Sequence, residues 1–411
     1  MTGLPAEADQ PPIPLLFLVS DTGGGHRSAA RAVHQALEQA YPGSFAPVIY
    51  DPLLGPDAPL ALRCLVRLYG PAIRLTPWLW GLLWRGSNSP RTLRWSRQTY
   101  LRPVYRIVAD AVQAHQPAVI VAFHPFATDP AAQAATFSVP QARAITVVTD
   151  LVTAHLSWRD ADADRIIVPS APLRHRCRMD DISEDRCAEI GLPVAAEFAQ
   201  PPLGAAERKA LQQALGLHGG RFVVLLTGGA EGSGGLYRRA AAILRQTEEV
   251  DVAVICGRND VLRQRLLRLA ARRADDRLTV KGFVDNMADW LRCADVVVGK
   301  AGPGTIAEAA CCATPLLLTS CVPGQEQGNA EFVVSAGAGR SVPRPRDMVA
   351  DLTWLREHPD VLARMRQASA AISRPEAATE IADLLADLAG FPRRAASVSG
   401  LPGTGAAAAD R

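Results

Sequence analysis

The sequence predicts an α/β fold of two doubly wound domains, and three observations lead to this prediction. Short apolar runs typical of buried parallel strands alternate with segments of helical apolar spacing along most of the chain. The pattern starts twice, at residues 15–19 and at residues 222–226, and a glycine-rich loop and a helix follow each start. A chain of 411 residues is also longer than one hydrophobic core usually supports.

The first half of the chain contains the first of these two patterns. After the strand at residues 15–19 come a glycine loop and a predicted helix over residues 28–40, which has apolar residues at helical spacing. Further strands are predicted at residues 118–122, 144–148 and 165–168. We assign residues 13–195 to an N-terminal domain and expect residues 1–12 to be a disordered leader.

A proline-rich segment at residues 192–203 predicts the linker between the domains, because prolines bias the chain toward extended conformations. Further strands are predicted at residues 222–226, 252–256, 278–280 and 296–298. We assign residues 196–392 to a C-terminal domain. The remaining residues 393–411 are rich in glycine and alanine, and we expect them to form a disordered tail.

The overall composition narrows the class of protein. With 48% hydrophobic and 21% charged residues the chain is globular, and its net charge of +3 is too small to indicate a nucleic-acid partner. Its eight cysteines are scattered without a Cys-x-x-Cys pair, which suggests neither a metal cluster nor a disulfide framework and fits a reducing cytoplasm. The N-terminus lacks the basic start and apolar core of a secretory signal. No apolar run approaches the ~18–20 residues that span a bilayer.

The segment from residue 295 to residue 312 carries the strongest local signal for a binding site. Residues 295–298 are predicted to form a buried strand, Gly302, Pro303 and Gly304 force a turn, and a helix is predicted from Thr305 onward. The first amides of a helix have no internal partner, and together with the helix dipole they bind a diphosphate well. A glycine turn that only connects a strand to a helix is the alternative.

A second polar turn follows the next apolar run. Residues 323–329 have amide and carboxylate side chains that can hydrogen-bond sugar hydroxyls, foremost Gln325 and Glu326. Because adjacent parallel strands end at the same edge of a sheet, a phosphate site and a polyol site would lie side by side. A solvated turn without a ligand is the alternative.

These two segments resemble the nucleotide-sugar signature of MurG-like glycosyltransferases, and most closely that of the monogalactosyldiacylglycerol synthase branch. Ala-Gly-Pro-Gly-Thr-Ile-Ala-Glu-Ala at residues 301–309 and Pro-Gly-Gln-Glu-x-Gly-Asn at residues 323–329 recur in that branch. Residues 19–29 resemble the first strand and glycine loop of the family, and residues 148–151 resemble its third motif. The family often has proline after the histidine of the third motif, where this chain has leucine after His155.

The resemblance implies the GT-B fold, in which two Rossmann-like domains face each other across a cleft, and a UDP-sugar as the donor. Residues 282–287 would recognise uracil, and Glu308 would hold the ribose. Thr305-x-x-Glu308 is alternatively a capping box, and residues 228–235 are alternatively a flexible interdomain loop rather than diphosphate ligands. The donor-binding residues implied in this way are Gly229, Phe283, Val284, Gly302, Gly304, Thr305, Glu308, Gln325, Glu326 and Asn329.

The candidate bases lie in the N-terminal domain. His26 follows three glycines at the end of a strand, where a substrate can approach the backbone and an imidazole can accept a proton near neutral pH. A polar surface histidine is the alternative for His26. Asp150 ends another predicted strand and would be the base, an orienter of His26 or a helix N-cap. The resemblance implies that Gly24, Gly25 and His155 belong to the acceptor side of the site.

The segment from Arg63 to Arg106 contains nine arginines, four tryptophans and no acidic residue. Arginines that meet lipid phosphates and tryptophans that enter the headgroup region are typical of a membrane-surface segment. An ordinary helical pair with core tryptophans and solvated arginines is the alternative. The residues expected at an anionic membrane surface are Trp78, Trp80, Trp84, Arg85, Arg91 and Arg94.

We therefore expect an inverting glycosyltransferase that moves a hexose, galactose or glucose, from a UDP-sugar to a lipid hydroxyl, foremost that of diacylglycerol. It would act as a peripheral protein at the inner face of the cytoplasmic membrane, with neither a cofactor nor a metal besides the UDP-sugar substrate. A UDP-sugar 2-epimerase or hydrolase on the same fold would share the donor site but lack a lipid-binding segment. A non-enzymatic lipid- or nucleotide-sensing protein would need no intact catalytic residues.

Overall fold

The computed structural model describes residues 11–21, 25–159, 162–273 and 275–391. Gly24, the expected tail and all but two residues of the expected leader lie outside these ranges. Within them the chain forms two parallel six-stranded sheets covered by helices, which confirms the predicted pair of doubly wound domains.

Six strands form the N-terminal sheet: β1 (Ile13–Leu18), β2 (Phe45–Tyr50), β3 (Val119–Ala122), β4 (Arg143–Val147), β5 (Arg165–Val168) and β6 (Cys187–Glu189). Their spatial order is β2-β1-β3-β4-β5-β6, and all neighbouring pairs are parallel. The sequence pattern does not predict β2 and β6. Both are edge strands with partly exposed residues, and β2 also contains Pro47, which a sheet tolerates at its edge.

The helices of this half are α1 (Gly25–Ala40), α2 (Leu60–Arg67), α3 (Tyr69–Leu75), α4 (Pro77–Ser87), α5 (Pro90–Gln98), α6 (Arg102–His115), α7 (Thr128–Phe137) and α8 (Ala171–Met179). The connection from β2 to β3 contains five of them, α2 to α6, and the arginine- and tryptophan-rich segment forms most of it. Proline stands in the first turn of α4, α5 and α6. Since proline can begin a helix but not continue one, these prolines divide the segment into short helices.

The second sheet contains β7 (Phe222–Thr227), β8 (Val250–Ile255), β9 (Leu278–Lys281), β10 (Val296–Lys300), β11 (Leu316–Ser320) and β12 (Gly339–Ser341). Its spatial order is β12-β11-β10-β7-β8-β9, again with parallel neighbours. The helices of this half are α9 (Ala205–Ala214), α10 (Leu236–Gln246), α11 (Asp260–Arg273), α12 (Met287–Cys293), α13 (Pro303–Cys311), α14 (Gln327–Ser335), α15 (Pro345–Glu357), α16 (Pro359–Ala371) and α17 (Ala377–Leu388).

Strand β1 shows why these strands are continuous apolar runs. Leu15 and Phe17 enter the core beneath α1, whereas Leu16 and Leu18 enter a second core beneath α6 and α7. All four side chains are fully buried, because helices cover both faces of the sheet. Burial of each contributes about 1.5–3 kcal/mol.

The C-terminal helix corrects the expected domain boundary. We assigned residues 196–392 to the C-terminal domain, but α17 packs on the N-terminal core, where Ile381 and Leu385 are fully buried against α1. Tyr41 also donates a hydrogen bond of 2.8 Å to Asp383. The chain therefore crosses between the domains twice, and the N-terminal domain is completed by the end of the sequence.

Both sheets have a switch point, where successive connections leave toward opposite edges. In the N-terminal sheet it lies between β1 and β3, and in the C-terminal sheet between β7 and β10. Ligands of open α/β sheets bind at the carboxyl ends of the strands at such points. The carboxyl ends of the two sheets face each other, because Asp150 after β4 contacts Gln325 after β11. The predicted cleft between the domains is therefore present.

Among the helices of the described chain, none combines the length and the apolar character needed to cross a bilayer.

Candidate active site

His26 lies in the first turn of α1, at the switch point of the N-terminal sheet. Its Nδ1 is 2.7 Å from the hydroxyl oxygen of Thr149, and its ring lies 4.8 Å from that of His124 and 6.0 Å from that of Trp158 between centroids. Burial lowers the pKa of His26 to about 4, and a hydrogen bond to the backbone of Phe123 opposes this shift. At neutral pH the imidazole is therefore uncharged and able to accept a proton.

Asp150 follows β4 and is buried at the centre of the cleft. Trp158 donates from Nε1 to one carboxylate oxygen at 2.7 Å, and Gln325 donates from Nε2 to the other at 3.1 Å. Burial raises the pKa of Asp150 to about 6, although both hydrogen bonds act in the opposite direction. Asp150 does not orient His26 through Nδ1, because Thr149 occupies that nitrogen.

His155, which we expected on the acceptor side, connects structural elements. Its Nδ1 lies 2.8 Å from the hydroxyl of Ser157, and its Nε2 lies 3.2 Å from that of Ser87. Because hydroxyls hold both ring nitrogens, His155 joins the end of α4 to the loop after β4. Gly25 lies exposed at the start of α1, beside His26.

On the opposite side of the cleft, α13 begins at Pro303, two residues earlier than predicted, with Gly302 as its N-cap. Ile306 donates to the carbonyl of Gly302, whereas the amides of Gly304 and Thr305 bind no other group in the described part of the chain. Together with the helix dipole, these two amides are available for the anion that the sequence predicts at this position. The site lies beside β7, at the switch point of the C-terminal sheet.

The structure contradicts the capping-box alternative for Glu308. The N-cap of α13 is Gly302 and not Thr305, and its position carries no side-chain cap. Burial raises the pKa of Glu308 to about 7, and the nearby charge of Glu197 adds to the shift. Within the described residues no hydrogen bond satisfies this carboxylate, so it is available to a ligand.

In the turn after β11, Glu326 and Asn329 were expected to bind the donor sugar, but both residues are buried. The Glu326 carboxylate accepts hydrogen bonds from Nζ of Lys300 at 2.5 Å and from the amide of Val322 at 2.9 Å. Asn329 donates to the carbonyl of Ala301 at 2.9 Å. Both residues therefore support the anion site from behind instead of presenting their side chains to a sugar.

Gln325 is the member of this turn that enters the cleft. In addition to its bond to Asp150, its carbonyl oxygen accepts a hydrogen bond of 3.2 Å from the hydroxyl of Tyr69. Burial raises the pKa of Tyr69, so the phenol stays protonated and donates. Gln325 thus contacts α3 and the candidate base at once.

The expected uracil and diphosphate segments lie next to each other. The ring of Phe283 is 57% exposed, the guanidinium carbon of Arg258 lies 5.5 Å from its centroid, and Val284 packs on the core below. The amide of Arg258 also donates to the carbonyl of Ala230 at 2.8 Å. Gly229 has a φ of +67°, a left-handed conformation that favours glycine. Its loop therefore follows a defined path toward the uracil segment.

The arginine- and tryptophan-rich segment has one exposed face and one face that packs on the protein. Trp78 is 65% exposed, and Arg85, Arg91 and Arg94 are exposed as expected. Trp80 and Trp84 contradict the expectation of membrane contact, because both face the protein. The ring of Trp80 lies 4.9 Å from that of Tyr69, and a methyl group placed on Gly324 would lie 2.8 Å from the ring of Trp84.

Sequence reasoning missed several residues of the site. Lys300 and Tyr69 belong to no recognised motif. A lysine at the end of an apolar strand is nevertheless a signal that could have pointed to Lys300. Leu79, Leu82 and Leu83 are large exposed apolar residues beside Trp78 on α4, and their spacing along the helix could have been noted.

Comparison with solved structures identifies the class of protein. The fold is similar to that of Acinetobacter baumannii MurG, with a TM-score of 0.59 at 17% identity over 92% of this chain and 100% of that chain. It is also similar to UDP-GlcNAc 2-epimerase from Neisseria meningitidis bound to UDP-GlcNAc, with a TM-score of 0.57 at 14% identity over 91% of this chain and 100% of that chain. The fold and the site thus define an α/β protein of the GT-B class.

Comparison of sequences identifies the family. Residues 26–194 match the model of monogalactosyldiacylglycerol (MGDG) synthase, and residues 223–385 match the glycosyltransferase family 28 C-terminal domain. Monogalactosyldiacylglycerol synthase 3, chloroplastic, of Arabidopsis thaliana is 32% identical over 384 residues, which cover 89% of this chain and 79% of the relative. The chain belongs to the monogalactosyldiacylglycerol synthase family and is a glycosyltransferase. The name of that relative places it in the chloroplast. The location of this chain at the inner face of the cytoplasmic membrane therefore stays a prediction.

Proposed function

We propose that this enzyme transfers galactose from UDP-galactose to the hydroxyl of a diacylglycerol at a membrane surface, with inversion at the anomeric carbon. The name of its family supports a galactosyl group and a diacylglycerol acceptor. A structural neighbour with UDP-GlcNAc bound supports a uridine diphosphate leaving group. The observation that carries the proposal is the contact between Gln325 and Asp150, since it brings the sugar side of the donor site against a base.

The donor would occupy the C-terminal face of the cleft. Uracil would cover the exposed ring of Phe283, and Glu308 would accept hydrogen bonds from the ribose hydroxyls. The amides of Gly304 and Thr305 would bind the diphosphate. Gln325 would then meet the hexose where the donor approaches the N-terminal domain.

Asp150 is the proposed base. Its pKa of about 6 lies closer to neutral pH than that of His26, and bases act best when their pKa lies near the working pH. As the acceptor hydroxyl attacks the anomeric carbon, its proton passes to the carboxylate. The bond from that carbon to the diphosphate breaks, and UDP leaves with the electron pair. The neutral ring of His26 would orient the acceptor hydroxyl.

The exposed face of α4 is the proposed membrane contact. Trp78, Leu79, Leu82 and Leu83 present large apolar side chains to solvent, and the exposed arginines of α4 and α5 flank them. Apolar residues that enter the headgroup region beside arginines that meet lipid phosphates suit an anionic bilayer. The opposite face of α4 contacts the donor turn, so a lipid acceptor would enter the cleft close to the surface of the membrane.

Vesicles that contain diacylglycerol and anionic phospholipid, incubated with a panel of UDP-sugars, test this proposal. Mass analysis should show hexosyl-diacylglycerol, with UDP-galactose as the preferred donor. Free hexose or an epimerised UDP-sugar without a lipid product would indicate a hydrolase or epimerase instead. Unchanged donor in all reactions, despite measurable UDP binding, would indicate a sensor without activity.

A further inference from the structure

Lys300 places a positive charge at the proposed donor site. It is the last residue of β10 and stands directly before the turn that starts α13. Its side chain is 23% exposed, and its hydrogen bond to Glu326 is the only one it makes within the described chain. Since an ammonium group has three N–H donors, two remain for a ligand.

The position of the ammonium group relative to α13 points to the kind of ligand. A methyl group placed on Gly302, the N-cap of α13, would lie 3.4 Å from Nζ of Lys300 and 3.7 Å from Oε1 of Glu326. The ammonium group therefore stands beside the start of the helix, where the amides of Gly304 and Thr305 have no partner among the described residues. Glycine at position 302 keeps the space between the cation and these amides open.

Glu326 fixes the direction of the lysine side chain. Only 5% of the Glu326 side chain is exposed, and the amide of Val322 holds its second oxygen. A flexible lysine on the surface would lose rotamer freedom on meeting an anion, whereas Lys300 is already held in place. The carboxylate thus holds the ammonium group in place. The side of the ammonium group that faces the cleft stays open to a ligand.

We propose that Lys300 binds the diphosphate of the donor and neutralises the negative charge that develops on it as the nucleotide leaves. This inference rests on the proposed function. When the bond between the anomeric carbon and oxygen breaks, the electron pair goes to the β-phosphate oxygen. The ammonium group of Lys300 stabilises that oxygen by a charge-assisted hydrogen bond, together with the helix amides.

Calorimetry with UDP and with uridine tests this assignment without measuring activity. Lys300→Gln should weaken UDP binding by about 10- to 100-fold, the effect of losing a hydrogen bond between charged groups, while uridine affinity changes by less than about threefold. Lys300→Arg should restore most of the UDP affinity, because it keeps the positive charge.

Glu326→Gln separates a ligand role from a structural one, because it breaks the same ion pair and keeps the cation. The glutamine oxygen can still accept a hydrogen bond from Lys300, so UDP affinity in this variant should fall, but by clearly less than in Lys300→Gln, because only the positioning of the ammonium group is loosened. An equal loss of UDP affinity in Lys300→Gln and Glu326→Gln would overturn the inference, as would an equal loss of UDP and uridine affinity in Lys300→Gln. If wild-type protein bound no UDP, the proposed function itself would fail.

Discussion

At the scale of single residues, burial shifts the acid–base groups of the cleft in opposite directions. It raises the pKa of Asp150 to about 6 and that of Glu308 to about 7, and it lowers the pKa of His26 to about 4. In each case the charged form loses water that the protein replaces only in part. At neutral pH the cleft thus contains an uncharged imidazole, a mostly ionised Asp150 and a Glu308 near its titration midpoint.

The acid limb of the pH profile should identify the base. A base acts in its deprotonated form, so with Asp150 as the base kcat/KM falls as the pH drops below about 6. With His26 as the base, activity would persist to about pH 4. Asp150→Asn should lower kcat by about 10²–10⁴-fold with little change in UDP affinity. Full activity of that variant, with loss only in His26→Ala, would contradict the assignment.

Glu308→Gln should weaken UDP binding by about 1–3 kcal/mol, because the amide is a poorer acceptor for ribose hydroxyls than a carboxylate. The free energy of unfolding at pH 8 should not fall. The raised pKa means that burying the ionised carboxylate destabilises the folded state, a cost that grows between pH 4.5 and about 7 and is complete above. Calorimetry and urea unfolding measure the two quantities. Lower stability with unchanged UDP affinity would assign Glu308 a structural role.

At the scale of elements, helix α4 joins the proposed membrane face to the turn after β11. Its outer side presents Trp78 and three leucines to solvent. On its inner side, a methyl group placed on Gly81 would lie 2.8 Å from Cβ of Pro323, and Trp84 covers Gly324. Tyr69 on the neighbouring helix α3 holds Gln325. One short helix therefore contacts the turn after β11 on one side and carries the proposed membrane surface on the other.

Trp78 and Trp84 lie on opposite faces of α4, so their alanine variants compare the roles of the two faces. Trp78→Ala should reduce sedimentation with anionic vesicles and leave UDP affinity unchanged, since this side chain is mostly exposed on the outer side of α4. Trp84→Ala should keep vesicle binding but lower transfer, because the turn around Gly324 loses its support. Equal sedimentation of Trp78→Ala and wild type would contradict membrane contact through this face.

The arginines of the same surface should make vesicle binding depend on charge. Each arginine near an anionic bilayer contributes about 1 kcal/mol, so replacing Arg85, Arg91 and Arg94 by glutamate should lower binding by at least about 100-fold. Binding should also fall with added salt and rise with the content of anionic lipid. UDP affinity in detergent is the control and should not change. Binding that is independent of lipid charge would contradict the electrostatic part of the argument.

At the scale of the whole molecule, two chain crossings join the domains. The first follows β6, and the second leads from α16 to α17, which completes the N-terminal core. A cleft between two domains excludes water when the domains close on each other, and such closure requires two stable bodies. The C-terminal helix therefore stabilises the N-terminal domain although it follows the C-terminal domain in sequence.

Leu385 in α17 tests this packing. Leu385→Ala should lower the free energy of unfolding by about 2–5 kcal/mol, since the side chain is fully buried and leaves a cavity. Thr379→Ala on the exposed side of the same helix should change it by less than about 0.5 kcal/mol. Urea denaturation monitored by tryptophan fluorescence measures both. Similar values for the two variants would show that α17 does not complete the core.

The sequence by itself determined the fold class, the central strands and the location of the anion site. Continuous apolar runs such as residues 296–298 are buried on both faces in any doubly wound sheet, and Gly302 and Pro303 mark the end of a strand and the start of a helix. These signals are local, because burial and backbone conformation leave their pattern in neighbouring residues. The edge strands β2, β6 and β12 were missed for the same reason, since partial exposure weakens the pattern.

Only the tertiary structure decided which residues meet. Apolar periodicity shows that α17 buries one face but not that the N-terminal domain receives it, and tryptophan content does not show that Trp84 faces inward while Trp78 faces out. Glu326 and Gln325 are adjacent in sequence, yet one is held by Lys300 inside the turn and the other by Asp150 across the cleft. Which residue a side chain contacts depends on segments that are distant in sequence. These contacts arise only when both sheets are assembled and their strand ends face each other.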